Sequence, residues 1–144
     1  MSPIQILLVE DSAADIRLTQ EVFLDGKFVN ELHVTRDGEA ALDFLHQRGE
    51  YLNAPRPDLV LMDLNLPKLD GREVLEAMKG DPSLKSIPVA VLTTSSAERD
   101  IVKSYNIGAN CYLTKPVELS EFVQVVTQIE EFWLGVVLLP PADS

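Results

Sequence analysis

The sequence predicts an α/β fold, one parallel sheet of five strands doubly wound by five helices, and three observations carry that prediction. Short β-rich runs alternate five times with longer segments whose apolar residues recur at helical spacing. The first, third and fourth runs are almost continuously apolar, as strands covered by helices on both faces must be. Turn-forming residues stand at the joints: Arg36-Asp37-Gly38, Asp70-Gly71, Asp81-Pro82 and Ile107-Gly108.

Taken in order, Ile4–Val9 is the first strand, and Ala14, Leu18 and Val22 form the apolar stripe of the helix after it. Leu32–Thr35 follows and reads as a sheet edge, with Leu42 and Leu45 on the next helix. The segment from Arg48 to Pro57 holds Gly49, Asn53, Pro55 and Pro57 and is expected to be a surface loop. Leu59–Met62 is the central strand, followed by a helix carrying Val74 and Met78. Val89–Leu92 leads to a helix with Ile101 and Tyr105 facing the core, and Cys111–Leu113 to one with Phe122, Val126, Ile129 and Trp133.

A chain of 144 residues with 46% hydrophobic composition can bury one sizeable core, so residues 1–144 are expected to form a single domain. A net charge of −11, with no basic cluster, argues against nucleic acid as a partner. The lone Cys111 sits in an apolar run and reads as a buried thiol in a reducing compartment. No basic leader precedes the first strand, and Phe132–Leu139, the longest other apolar stretch, falls short of the roughly 18 residues of a membrane span. A soluble, cytoplasmic protein without a membrane partner is expected.

Ligands of open parallel sheets bind outside the carboxyl ends of the strands. There the sequence places Glu10 and Asp11 after the first strand, Asp63 at the third, Thr93 and Thr94 at the fourth, and Lys115-Pro116 beyond the fifth. Crowded carboxylates resist ionisation unless a cation lies among them, and an incomplete oxygen cage suits Mg²⁺. Asp63 is the natural nucleophile for an acyl phosphate, Lys115 the partner of a phosphoryl oxygen, and Thr93 a hydroxyl able to move toward another. Singly, each residue has a plainer role. Glu10 or Asp11 caps the first helix, where Ser12 and Asp15 resemble a capping box; Asp63 is a turn residue, Lys115 a solvated lysine and Thr93 an ordinary strand residue. Their joint occurrence at the strand ends favours a site.

At these residues the chain resembles, along its whole length, the response-regulator receiver family of two-component signalling. Glu10-Asp11, Asp63, Thr93 and Lys115 fill every position of that family's pattern. The resemblance implies a flavodoxin-like sheet of strand order 2-1-3-4-5 and transfer of a phosphoryl group from a sensor histidine kinase onto Asp63. It further implies Mg²⁺, replaceable by Mn²⁺ or Ca²⁺, on Asp11, Asp63 and the backbone carbonyl of Asn65, with Glu10 in the outer shell. A cis Lys115–Pro116 peptide is implied, and Tyr112 matches the switch aromatic, its plainer reading being a half-exposed strand tyrosine. Thr94 departs from the Ala or Gly that many receivers carry there and predicts restricted access to the phosphoryl group.

More narrowly, the chain is similar to the stand-alone regulators that accompany bacterial and cyanobacterial phytochromes. Gly49-Glu50-Tyr51, Asp63-Leu64-Asn65-Leu66-Pro67, Asn110-Cys111-Tyr112-Leu113-Thr114-Lys115-Pro116 and Phe132-Trp133 carry that similarity. It implies a phytochrome as the kinase partner.

A last helix from about Glu118 to Leu134 spans roughly 25 Å, longer than a five-residue strand at about 17 Å, so its end is expected to overhang the sheet. Phe132, Trp133, Val136 and Leu138 then form an apolar surface, and a homodimer through about residues 130–140 is expected; the alternative is a tail folded over its own core. Only Pro140–Ser144 follow, so no output domain is expected and output is by contact. Three rivals are weighed against this reading. A phosphatase working through an aspartyl phosphate lacks a second acid, because Asn65 stands two residues after Asp63. A flavin module lacks a Ser/Thr/Gly-rich loop after the first strand. A scaffold that is never phosphorylated has no reason to hold every residue of the pattern. The chain therefore reads as a phospho-acceptor that catalyses its own phosphorylation and slow dephosphorylation, not as an enzyme acting on other substrates.

Overall fold

The structure is a computed structural model that describes residues 3–24 and 29–126. Its elements are β1 (Ile4–Val9), α1 (Ala13–Leu24), β2 (Asn30–Thr35), α2 (Gly38–Leu45), a 3-10 turn at Gly49–Tyr51, β3 (Leu59–Asp63), α3 (Gly71–Lys79), β4 (Val89–Thr93), α4 (Ser96–Ser104), β5 (Cys111–Thr114) and α5 (Leu119–Val126). The sheet runs β2-β1-β3-β4-β5 with every pair parallel, the order the resemblance implies. Ile129, Phe132, Trp133, Val136 and Leu138, and with them the expected dimer surface, lie outside the described residues.

Alternation along the central strands divides the core into two layers. Leu7, Val9, Val60, Met62, Val89 and Val91 pack with side chains of α2, α3 and α4. Ile6, Leu8, Leu59, Leu61, Ala90 and Leu92 pack on the other face with Phe23 of α1 and Phe122 of α5. Those two rings meet edge-on with centroids 4.8 Å apart. Cys111 is buried in this second layer, and burial pushes its thiol up to about 12, as suits an inert core thiol.

Two helices turn a different face inward from the one their apolar spacing suggests. In α1, Ile16, Thr19 and Phe23 face the sheet, while Ala14 and Leu18 are exposed and Val22 is half-buried. Apolar residues surround this helix, so spacing alone permits more than one stripe. The face that wins carries Phe23, packed edge-on against Phe122, while Asp15 in the first turn reaches Lys115. In α4, Val102 is the buried residue, and Ile101 and Tyr105 are exposed at 56% and 58%. Tyr105 lies instead beneath the Arg72 guanidinium, 5.1 Å from its ring centre.

Registry brings the strand-end residues into one layer. Val9 pairs with Met62, Asp63 with Leu92, and Thr93 with Thr114. Each polar residue thus stands one step from a neighbouring strand's last apolar position. The backbone ladder continues past the strands: Glu10 N–H donates to the Thr35 carbonyl at 3.0 Å and Lys115 N–H to the Thr93 carbonyl at 2.7 Å. Glycine completes the seat of Asp63. A Cβ at Gly71 would sit 2.5 Å from the Asp63 carbonyl oxygen, so only glycine lets α3 start this close behind β3.

Candidate functional site

The centre of the site is the Lys115 ammonium. Its Nζ donates to Asp63 Oδ2 at 2.8 Å, Asp15 Oδ2 at 2.9 Å and Glu10 Oε1 at 3.2 Å. Three acceptors match the three N–H donors of a lysine. The peptide that leads away from it, Lys115–Pro116, is cis. Asp63 has both oxygens engaged, since its Oδ1 accepts from the Asn65 N–H at 2.9 Å. Asp63 is 7% exposed and Glu10 2%, so the carboxylates sit at the floor of the site while Asp11 is exposed above them.

Charge explains the state of each group. Burial, and then the neighbouring Asp63 charge, push the Glu10 carboxyl up to about 7. Burial alone would weaken the Lys115 charge, but hydrogen bonds to Asp63 and Asp15 and the charges of Asp63 and Glu10 outweigh it and hold the ammonium above the ordinary lysine range. The cation demanded by the crowded carboxylates is therefore in part the protein's own. Its charge offsets only part of the burial and of the Asp63 repulsion that raise Glu10.

The residues expected to switch are separately tethered. Thr93 is 1% exposed and its hydroxyl donates to the Leu113 carbonyl on β5 at 3.3 Å. Thr94 turns away toward α4, where Glu98 Oε1 accepts from its N–H at 2.7 Å and its hydroxyl at 3.2 Å. Ser95 caps α4 by accepting from the Glu98 N–H at 3.1 Å, while the Glu98 carboxylate passes over the cap residue to reach Thr94. A cleft of about 320 Å³ opens between Asn65, Asp70, Arg72 and Glu98. Tyr112 is half-buried, with the Lys103 ammonium 5.9 Å from its ring centre.

The structure thus brings together Glu10, Asp63 and Lys115, places Asp11, Asn65 and Thr93 around them, and leaves Tyr112 one strand over on β5. Three contributors escaped the sequence reading. Asp15 was visible only as half of a capping box with Ser12. Ser12 Oγ does accept from the Asp15 N–H at 3.2 Å, but the Ser12 N–H is held by Glu10 Oε2 at 3.2 Å, which frees the Asp15 carboxylate for Lys115. Glu98 carried a signal in Ser95-Ser96-Ala97-Glu98. Arg36, whose guanidinium steadies the Asp11 carbonyl at 2.8 Å, carried none.

Among the described residues, no three acidic, histidine or cysteine side chains are arranged as a metal cage. The donor set implied for a hard ion is different: the Asp11 and Asp63 carboxylates and a peptide oxygen at Asn65, with water completing the shell, which suits Mg²⁺ better than an all-protein cage does. An exposed Asp11 above a buried Asp63, beside a Glu10 carboxyl raised by burial and by the Asp63 charge, fits such an ion.

Comparison with known proteins agrees with this geometry. Residues 6–127 match the response regulator receiver domain. Response regulator Rcp1 of Synechocystis sp. is 56% identical over 140 residues, covering 97% of this chain and 95% of that protein. The bacteriophytochrome response regulator AtBRR superposes with a TM-score of 0.83 at 44% identity, over 89% of this chain and 93% of that one. The phosphorylated cyanobacterial phytochrome response regulator RcpA gives 0.74 at 52% identity, over 98% and 100%. The Mn²⁺-bound form of Rcp1 gives 0.73 at 55% identity, over 97% and 100%. With a doubly wound sheet that delivers an acidic pair, an aspartate, a threonine and a lysine to one strand-end layer, the chain belongs to the response regulator receiver domain family.

Proposed function

We propose that this chain is a single-domain phospho-acceptor switch, receiving a phosphoryl group on Asp63 from the phosphohistidine of a sensor kinase, and that the kinase is a phytochrome. The observation that carries the reading is the Lys115 ammonium 2.8 Å from Asp63 Oδ2, on the strand-end layer where Thr93 also waits. In the transfer, one Asp63 carboxylate oxygen attacks phosphorus. The bond from phosphorus to the donor imidazole nitrogen breaks, its electron pair stays on that nitrogen, and an acyl phosphate forms on Asp63.

This chain's residues have distinct parts in that step. Lys115 exchanges Asp63 Oδ2 for a phosphoryl oxygen, and Thr93 exchanges the Leu113 carbonyl for another. Tyr112 takes up the space that the displaced Thr93 vacates. Asp11, Asp63 and the Asn65 carbonyl would hold Mg²⁺, with Glu10 behind them; Mn²⁺ or Ca²⁺ would fit the same oxygen donors. When bound, the ion supplies neutralisation of the charge on the transferred group.

Relatives whose names tie them to phytochromes support the kinase assignment, and the family match over residues 6–127 supports a receiver domain as the phospho-acceptor. Among the described residues no helix is long and apolar enough to cross a membrane. We place the homodimer contact at Phe132, Trp133, Val136 and Leu138 on the strength of their sequence alone.

Intact mass after incubation with Mg²⁺ and acetyl phosphate tests the reading. A single phosphate adduct on the wild type, lost on chelation and absent in Asp63→Asn, is the expected result. Absence of the adduct with both acetyl phosphate and a phytochrome kinase would refute it.

A further inference from the structure

Asp15 belongs to no part of the phosphorylation set described above, yet it makes one of the three hydrogen bonds to Lys115. Its position is built by the local chain. Ser12 caps α1 through the Asp15 N–H, so Asp15 stands in the first turn with its backbone fixed. In an ordinary capping box the acidic residue here would reach back to the cap's own N–H, but Glu10 Oε2 already accepts from Ser12. The Asp15 carboxylate is left to cross to the end of β5. The Thr19 hydroxyl binds the Asp15 carbonyl at 2.9 Å and further anchors this turn.

The three acceptors of Lys115 differ in what phosphorylation does to them. Asp63 loses its free carboxylate on becoming an acyl phosphate. Glu10 is buried and shares its charge environment with Asp63. Asp15 comes from α1 and not from a strand end, is partly open to water with a side-chain exposure of 31%, and is not altered by the reaction. Lysine has a long, flexible stem whose ammonium must be held by its partners if it is to meet a phosphoryl oxygen in the correct place.

We propose that Asp15 is a positioning residue for phosphoryl transfer: its contact with Lys115 holds the ammonium at the acceptor while Lys115 changes partner from the Asp63 carboxylate to the phosphoryl group. The inference rests on the phospho-acceptor reading. It assigns to the first turn of α1 a role beyond the acidic pair, and it makes the rate of phosphorylation depend on a charge that touches neither the donor nor the acceptor.

The test compares wild type, Asp15→Asn, Asp15→Ala and Asp15→Glu, with thermal melting to verify folding. Two readouts are taken: the rate of Asp63 labelling by acetyl phosphate with Mg²⁺, and the Lys115 side-chain ¹⁵N–¹H signal in the metal-free protein. Asp15→Ala is expected to slow labelling about tenfold, the low end for losing an outer partner, and Asp15→Glu to recover most of it. In Asp15→Ala the Lys115 signal is expected to broaden through faster proton exchange while other lysines are unchanged, which a loss of helix capping alone would not produce. Labelling at or above the wild-type rate in Asp15→Ala, or an unchanged Lys115 signal, would overturn the proposal. No labelling of the wild type would overturn the phospho-acceptor reading itself, and the positioning role with it.

Discussion

Replacing Glu10 by Gln should stabilise the metal-free protein at alkaline pH and lose that advantage in acid. Burial and the Asp63 charge push the Glu10 carboxyl up to about 7, from an ordinary 4.5. A carboxyl whose folded value is raised binds its proton more tightly in the native state than in the unfolded chain. Between 4.5 and about 7 the native state therefore holds more protons, and stability falls as pH rises through that window. Above it, the ionised Glu10 destabilises the native state by at most about 3 kcal/mol, on the scale of about 1.4 kcal/mol per pH unit. The carboxyl is 2% exposed but still keeps hydrogen bonds to Lys115 and Ser12, so about 1–2 kcal/mol is the better expectation. Gln mimics the protonated acid at every pH. Urea denaturation in EDTA of wild type and Glu10→Gln at pH 5, 6, 7 and 8 isolates the effect, because other titrating groups cancel in the difference. The variant should be the more stable at pH 8, with the two converging near pH 5. A variant equal to or weaker than wild type at pH 8, or a difference that does not change with pH, would refute the electrostatic account of the site.

Two further substitutions probe its walls. Gly71→Ala drives a methyl group against the Asp63 carbonyl, so it should cost about 1–3 kcal/mol in denaturant and slow phosphate labelling as well, because the acceptor itself must shift; normal labelling would show that α3 can retreat without it. Glu98→Gln should weaken the hold on Thr94 and let its N–H and hydroxyl turn toward a phosphoryl oxygen, lengthening the half-life of the acyl phosphate followed by mass. A shortened half-life would mean that Glu98 serves the phosphorylated state instead of the resting one.

The sheet was legible because its central strands are apolar on both faces, a pattern few other structures produce. Its strand ends were less so. The ladder runs on into Asp63, Thr93 and Thr114, whose polarity makes them look like loop, while backbone pairing is indifferent to side-chain polarity. Helix faces failed where more than one apolar stripe was available. Ala14 and Leu18 gave way to Ile16 and Phe23, which pack in the core layer shared with Phe122, a partner 99 residues away in sequence from Phe23 that no local spacing reveals. At α4, Val102 alone enters the core, Ile101 stays exposed, and Tyr105, just past the helix end, meets Arg72 instead. The crowding of carboxylates was visible in the sequence, but Lys115, 105 residues from Glu10, stands among them as a cation in the resting protein, a contact only the fold creates.

That resting network shapes how the switch operates on the proposed reading. Asp63 is not a bare nucleophile, since Lys115 and the Asn65 N–H engage both of its oxygens. Thr93 is likewise committed to Leu113. Phosphorylation must exchange partners and cannot simply add them, so its net driving force is the difference between two satisfied networks. The exchange is also directional. Releasing Leu113 loosens β5 at its carboxyl end, while moving Thr93 pulls on Thr94 and through Glu98 on the first turn of α4. Farther along, α4 carries Ile101 exposed, and Tyr105 just beyond its end is exposed beneath the Arg72 guanidinium. On the proposed reading, a change of state at Asp63 is therefore passed to the start of α4 through Thr94 and Glu98, and to the core where Tyr112 moves into the space left by Thr93.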